Sequence, residues 1–433
     1  MFRCKLGICV FLAGAGAHAE LHTLTLRQTV ELAARQNPDV KLAQLDQQRA
    51  EQGIRIARDP FRPKVYSGSG LAYTYGYPNS IEGNAPSLIQ VRTDMSLFNR
   101  QQAFALAGSK EIARGSEFAV AAKADEMAFQ AADLFLSASQ VEHQGESLYG
   151  QLPSLQKVVE TISAAVTEGT ELPLELKRAQ TNLAMSRQQL DAAHLDGDYY
   201  EMMLAIAVGY PATDRVKPIE AGVPLAPAMA SEEEAETVAL RSNHELQQLQ
   251  SSAQAKELDY RSYRSVRVPK VDLVAQYALF AKYNFSQYFQ KFQRNNFQIG
   301  ASVTIPILVG SAAGASAQQA YTDLLKLRIQ MGQVRNRVLT DVRRDYDLWK
   351  KAQQIRDLAR MQLDLAREDL TLKLAQNGEG RLPLRALEQA RLEESNRWIQ
   401  LFDAETQVTR AKLAILRQTG TLLTAIRAAG ENP

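Results

Sequence analysis

Residues 31–65 align without a gap to residues 237–271, and this internal copy constrains the fold more than any other feature of the chain. Eleven of the 35 paired positions are identical, among them Ala33/Ala239, Asn37/Asn243, Glu51/Glu257, Arg55/Arg261, Arg58/Arg264 and Pro63/Pro269. Further on, Leu172-Pro173-Leu174 recurs as Leu382-Pro383-Leu384. The chain therefore reads as two similar halves, residues 20–210 and 237–433. The joint, residues 211–236, holds Pro211, Pro218, Pro224 and Pro227 and reads as an irregular linker.

Each half has the same order of elements: short helix, medium helix, two strands, a very long helix, then a medium-to-long helix. Residues 311–376 contain no proline and are rich in Ala, Leu, Gln, Arg and Asp. As one helix they would extend about 100 Å. That length belongs to coiled-coil packing rather than to an ordinary globular core. Leu324, Leu327, Met331, Val334 and Val338 step by three and four, and Val342, Tyr346 and Trp349 continue the stripe. Leu401, Ala404, Val408, Ala411 and Ile415 form its counterpart in the closing helix. The equivalent long helix of the first half, about residues 99–167, carries Gly150 and Pro153, where a kink is expected.

Four segments alternate with period two: residues 65–77, 88–98, 271–283 and 297–307. Their odd-numbered faces are apolar, for example Val65, Ile89, Val91, Leu273, Tyr277, Ile299 and Val303. Their even-numbered faces are mostly polar and include Arg92, Asp94, Asp272 and Lys282. At about 10–13 residues each they have the length of tilted membrane-spanning strands. Tyr73, Tyr75, Tyr77, Tyr283, Tyr288 and Phe289 could supply an interfacial aromatic girdle. Four strands cannot close a barrel, and an open edge is not tolerated in lipid, so closure needs other subunits. Three chains would supply twelve strands, although strand count alone leaves two or four copies open.

The first twenty residues read as a targeting segment. Arg3 and Lys5 precede the apolar run Leu6–Gly16, and Ala17-His18-Ala19 has the pattern of a cleavage site, so residues 1–19 are expected to be a signal peptide. Cys4 and Cys9 are the chain's two cysteines and would leave with it. The formal charge of +2 would leave as well, since it rests on Arg3 and Lys5. A neutral chain lacks the basic excess usual for a nucleic-acid binder. No other run approaches 18 apolar residues, so any membrane insertion must be by strands.

Taken in order, several segments resemble the TolC-like outer membrane efflux proteins. The opening Leu24-Thr25-Leu26, Ala33 and Asn37-Pro38-Asp39-Val40 is similar to that family's first motif. Leu97-Phe98-Asn99 and Ile305-Pro306-Ile307 resemble its strand-to-helix junctions. Gly169-Thr170-Glu171-Leu172-Pro173-Leu174-Glu175-Leu176 resembles its helix-turn-helix tip. The resemblance implies an α+β membrane protein. Duplicated long helical hairpins would form a periplasmic α-barrel, and four strands per chain would contribute to a trimeric, twelve-stranded outer-membrane β-barrel. It also implies an equatorial domain, here residues 211–236 with the C-terminal tail. The implied partners are a periplasmic adaptor and an inner-membrane transporter, and the implied role is a passive exit duct for efflux or type I secretion.

By the same resemblance, residues 167–173 and 377–383 are the tips that line the periplasmic aperture and meet the adaptor. Its candidate residues are Gly169, Thr170, Glu171, Leu172, Pro173 and Glu175 in the first half. In the second half they are Gly378, Gly380, Arg381, Leu382 and Pro383. Gly169, Gly378 and Gly380 are expected to permit the reversals, and Pro173 and Pro383 to sit where a new helix begins. Family members often place an acid just past this turn. Glu175 occupies that place in the first half, while in the second it falls on Leu384 or Arg385, a departure from a full acidic ring. A plain solvated role for Glu175 stays open. Inside the barrel Arg92, Asp94, Asp272 and Lys282 would face the lumen, either tuning it or simply keeping it wet.

No catalytic or cofactor constellation is expected. His18, His22, His143, His194 and His244 show no metal-ligand spacing, and there is no phosphate-binding glycine loop. The alternative to a duct is a periplasmic coiled-coil scaffold whose strands form a soluble sheet.

Overall fold

The computed structural model describes residues 20–70, 87–219, 231–280, 295–379 and 381–429. The first half runs β1 (Leu21–Leu24), α1 (Leu26–Gln36), α2 (Pro38–Arg58), β2 (Lys64–Gly70), β3 (Ser87–Phe98), α3 (Arg100–Thr167) and α4 (Pro173–Val208). After β4 (Arg215–Pro218), the second half repeats the pattern. It comprises α5 (Glu232–Ser242), α6 (His244–Arg264), β5 (Lys270–Phe280), β6 (Asn295–Thr304), α7 (Ser311–Gly378) and α8 (Leu384–Gln418), with α9 (Leu422–Ala429) added at the end. Both α3 and α7 have 68 residues. The helix α3 continues through Gly150 and Pro153 without interruption.

The duplicated residues do the same work in each half. Asn243 caps α6, its Oδ1 accepting the Glu245 and Leu246 N–H groups at 3.1 and 3.2 Å. Asn37 opens α2 in the same way: its Oδ1 accepts the Asp39 N–H at 2.8 Å, and Pro38 occupies the first helical position, where a missing N–H costs nothing. A short 3-10 turn then precedes each entering strand, Asp59–Phe61 before β2 and Ser265–Arg267 before β5.

The compact units do not follow the halves. One unit comprises Met1–Lys41, Lys123–Ser242 and Val338–Pro433; the other comprises Leu42–Ala122 and Asn243–Arg337. Each draws on both copies, so the halves interleave.

The first unit holds the main core. Val30 of α1, Leu204 and Val208 of α4, Val216 of β4, Leu413 of α8, and Leu422 and Ile426 of α9 are fully buried in one cluster, with Ala128, Ala132 and Phe135 of α3. Each such aliphatic side chain contributes about 1.5–3 kcal/mol. The helix α1 enters this core through a capping box in which Thr25 and Gln28 satisfy each other's N–H groups at 3.3 and 3.0 Å. Beside it β1 pairs in parallel with β4, from Leu21↔Arg215 to Leu24↔Pro218. The segment read as an irregular linker thus contains β4 and the start of α5.

The second unit holds a four-stranded antiparallel sheet in the order β2-β3-β5-β6. Between the register shifts at Gly68/Gly70, Ser87/Ile89 and Ser96/Phe98 the sheet keeps parity: Ser67↔Val91, Val91↔Tyr277 and Tyr277↔Phe297 on odd positions, Arg92↔Gln276 and Gln276↔Gln298 on even ones. The last strand ends at Thr304 rather than at Ile307 as the alternation predicts, because Pro306 has no N–H to give the ladder.

Candidate functional site

Helix α3 ends in a Schellman motif. Gly169 has φ +75°, its N–H reaches the Val166 carbonyl at 3.1 Å, and the Thr170 N–H reaches the Ala165 carbonyl at 2.9 Å. The Thr170 hydroxyl donates to the same Ala165 carbonyl at 2.9 Å. Leu172 then caps α4, with Pro173 at its first position. Leu172 is 66% and Leu174 54% exposed, so this tip presents apolar surface.

The second tip closes by a related bond. The Arg381 N–H reaches back to the Gln376 carbonyl at 2.9 Å, and the Asn377 side-chain amide donates to the Leu382 carbonyl at 2.7 Å. Gly378 does not make the reversal: it is the last residue of α7 and is not among the glycines with positive φ. Gly380 lies outside the described residues. Pro383 caps α8, one place earlier relative to its helix than Pro173.

The tips meet through charge. Arg178 Nη1 donates to Glu175 Oε1 at 2.7 Å. Arg385 Nη1, from the other hairpin, stands 2.8 Å from Glu175 Oε2, an ion pair not aligned as a hydrogen bond. Glu175 is therefore mostly buried and paired, not a bare solvated acid. The residue that breaks the expected acidic ring supplies its counter-charge. Next to it Glu388 is 2% exposed: its Oε1 accepts from Arg391 at 3.0 Å and its Oε2 has no hydrogen-bond partner. A small cavity of about 70 Å³ adjoins these groups, walled by Leu155 and Ile162 of α3 and Asn182 of α4. Arg178, Glu388 and Arg391 were missed by sequence reasoning, since nothing in a single helical stripe says which neighbour it will face. Arg381 pairs with Glu379 at 3.1 Å.

In the same unit β4 sets Lys217 Nζ 2.7 Å from Glu142 Oε1 and pairs Arg215 with Asp198. Burial raises the Glu201 carboxyl above its ordinary range, partly opposed by Arg215. The hydrogen bond to Glu142 raises the Lys217 ammonium.

In the sheet, Arg92, Asp94 and Asp272 share the even face, as the alternation requires. Arg92 Nε donates to Asp94 Oδ1 at 2.8 Å, and Ser96 Oγ to Asp272 Oδ1 at 2.5 Å. The odd face is bare: Val65, Phe297, Ile299 and Val303 are 60–68% exposed. Lys282 and the girdle aromatics Tyr73, Tyr75, Tyr77, Tyr283, Tyr288 and Phe289 lie outside the described residues. Among the described residues no helix is long and apolar enough to cross a membrane, and no group of His, Cys, Asp and Glu gathers to hold a metal ion.

Known proteins resemble this chain in sequence over part of its length and in fold over most of it. The family model "Outer membrane efflux protein" matches residues 237–421. Outer membrane protein TolC of Escherichia coli (strain K12) is 23% identical over 230 residues, which cover 50% of this chain and 46% of TolC. The alignment thus spans about half the length of that relative. A membrane protein of Pseudomonas aeruginosa superimposes with a TM-score of 0.73 at 15% identity, covering 91% of this chain and 90% of that one. The outer membrane channel CmeC of Campylobacter jejuni gives 0.70 at 14% identity, covering 92% and 86%. The second half of the chain matches the outer membrane efflux protein family in sequence, and the chain shares the fold of these channel structures along its length. The matched family and the matched relative are both named for the outer membrane.

Proposed function

We propose that the chain is one third of a passive outer-membrane exit duct serving a tripartite efflux pump or a type I secretion system. The observation that carries this is the four-stranded sheet with an uncovered apolar face and two free edges. Among the described strands β2 and β6 each pair on one side only. In lipid such edges must be closed, and two more copies supply a closed barrel of twelve strands. The helices joined to the edge strands are equipped for the contact. Leu42, Leu45 and Ile56 on α2 and Leu325 and Ile329 on α7 are exposed. A periplasmic scaffold would need its sheet face covered, and Val65, Phe297 and Ile299 are bare.

We infer that the two tips form the periplasmic aperture. Leu172 and Leu174 offer the apolar contact for an adaptor, and the inner-membrane transporter supplies the energy. The even face of the sheet, with Arg92, Asp94 and Asp272, lines the lumen. Their mixed signs keep it hydrated without strong preference.

Cross-linking of intact cells followed by mass measurement tests the reading. A trimer in outer-membrane fractions is expected; a monomer released with the periplasm overturns it. Replacing Gly169 or Gly380 by valine should then impair export more than trimer formation. Unchanged export in both variants would remove the tips from the adaptor contact.

A further inference from the structure

Four arginines of the second unit converge on one open hollow. Arg100 at the start of α3, Arg261 and Arg264 at the end of α6, and Arg328 of α7 line a concavity of about 660 Å³ with Phe104, Tyr260 and Tyr321. One carboxylate, Glu257, shares it and is already paired with Arg261. Among the described residues Arg100 and Arg328 have no carboxylate within ion-pair distance. Two of the guanidiniums are held over aromatic rings: Arg100 lies 5.6 Å from the Phe104 centroid and Arg264 5.7 Å from that of Tyr260. Arg264 also donates to the Tyr260 hydroxyl at 3.2 Å, and Tyr260 packs on Tyr321 at 5.5 Å. Arg100 and Arg264 are thus oriented, and among the described residues Arg261 alone of the four is paired with a carboxylate.

The place in the chain says what they face. Arg100 follows the end of β3 at Phe98, and Arg264 precedes the start of β5 at Lys270 by one short turn. If the strands span the bilayer, as the proposed duct requires, the hollow lies at the level of the headgroups. Aromatic rings with basic side chains are the residues that suit that level. Forked guanidiniums match phosphate oxygens. The geometry points to a binding site for the phosphate of an anionic phospholipid headgroup in the periplasmic leaflet. The inference rests on the duct reading for its location.

The duplication provides an internal control. Glu51, Arg55 and Arg58 are the first-half counterparts of Glu257, Arg261 and Arg264, but Ile54 stands where Tyr260 closes the second-half hollow. The first copy has the charges without that ring.

The test uses the full-length protein extracted from bilayers of phosphatidylcholine with or without phosphatidylglycerol, read by native mass spectrometry. The unaltered protein should retain phosphatidylglycerol in preference to phosphatidylcholine. The pair Arg100→Gln with Arg328→Gln should lower that retention about tenfold, and Arg264→Gln alone should lower it less. The pair Arg55→Gln with Arg58→Gln should leave it unchanged, as should excess inorganic phosphate. Equal retention of both lipids, or retention unaffected by the Arg100/Arg328 pair, overturns the site. Displacement of the lipid by inorganic phosphate would make it a site for free anions instead. If the Arg100/Arg328 pair dissociates the trimer, the hollow is a contact between copies and the proposal fails. Absence of any trimer in the unaltered protein would be failure of the duct itself, which the mass spectrum separates from loss of lipid.

Discussion

The two hairpin tips share the sequence Leu-Pro-Leu and yet close differently. The first reverses on Gly169 in a left-handed conformation with open space around it, and its acid, Glu175, points back into the protein. The second keeps Gly378 in the helix and carries Arg385 where the duplication would place a matching acid. The two copies carry opposite charges at this place and meet as a complementary pair. A symmetric ring of acids would repel; one acid facing one base joins the hairpins within a single chain.

The largest expected effect separates reversal from packing. Gly209 ends α4 with the same Schellman bonds as Gly169 ends α3, its φ being +91°. An added Cβ there would fall 2.7 Å from the Gln36 carbonyl oxygen, whereas at Gly169 it would meet nothing within 4 Å. Gly209→Ala should cost about 2–5 kcal/mol, the sum of backbone strain and overpacking. Gly169→Ala should cost only about 1–2 kcal/mol of strain. Thermal unfolding of the two variants decides whether the tip tolerates what the core does not; equal losses would contradict the contrast.

Next comes the charge complement. Arg385→Glu removes one partner of Glu175 and sets a like charge beside it. Because Arg385 is about half exposed, solvent discounts the effect to about 1 kcal/mol. Glu175→Gln in the same chain should recover most of it. In planar bilayers Arg385→Glu should also move the reversal potential toward cation selectivity. No coupling between the two substitutions would dissolve the complementary pair.

A smaller effect of opposite sign is expected at Gly378. Since it is helical with nothing within 4 Å of an added Cβ, Gly378→Ala should stabilise by about 0.5 kcal/mol. A loss comparable to that of Gly169→Ala would show the two glycines to be equivalent after all.

The smallest effect contrasts the tips with the trunk of the same unit. Burial raises the Asp403 carboxyl above its ordinary range, although its Oδ1 accepts from Gln140 Nε2 at 2.8 Å. A raised folded-state value means the folded protein holds the proton more tightly than the unfolded chain does. That stability is present at low pH and declines as pH rises through the folded value. Asp403→Asn should therefore flatten the fall in thermal stability between pH 4 and neutrality. An unchanged slope would contradict this.

Much of the fold was legible because it is periodic. The alternation in 88–98 and 271–283 assigned Arg92, Asp94 and Asp272 to one face, and the register puts them there, since a side chain in a strand has only two directions to take. The alignment named the pair Asn37 and Asn243 but not its role; the structure shows a side-chain amide opening α2 and α6 in each copy. The β1–β4 pair was not legible: four residues are too few to show a period, and their partners lie some 190 residues away. Nor was the counter-charge of Glu175. The approach of α8 to α4 is a tertiary fact, and one sequence offers several arginines on each polar stripe. Gly378 was misjudged as a reversal residue because glycine signals permission for positive φ, not its use.

The claim that stands above these details is that copies of this chain close a water-filled passage through the outer membrane. Electrical recording of the purified protein in planar bilayers tests it most directly. Discrete conductance steps are expected from material whose cross-linked mass is that of a trimer. Trimeric protein that inserts and passes no current, or protein that stays monomeric and leaves the membrane fraction with salt, would contradict it.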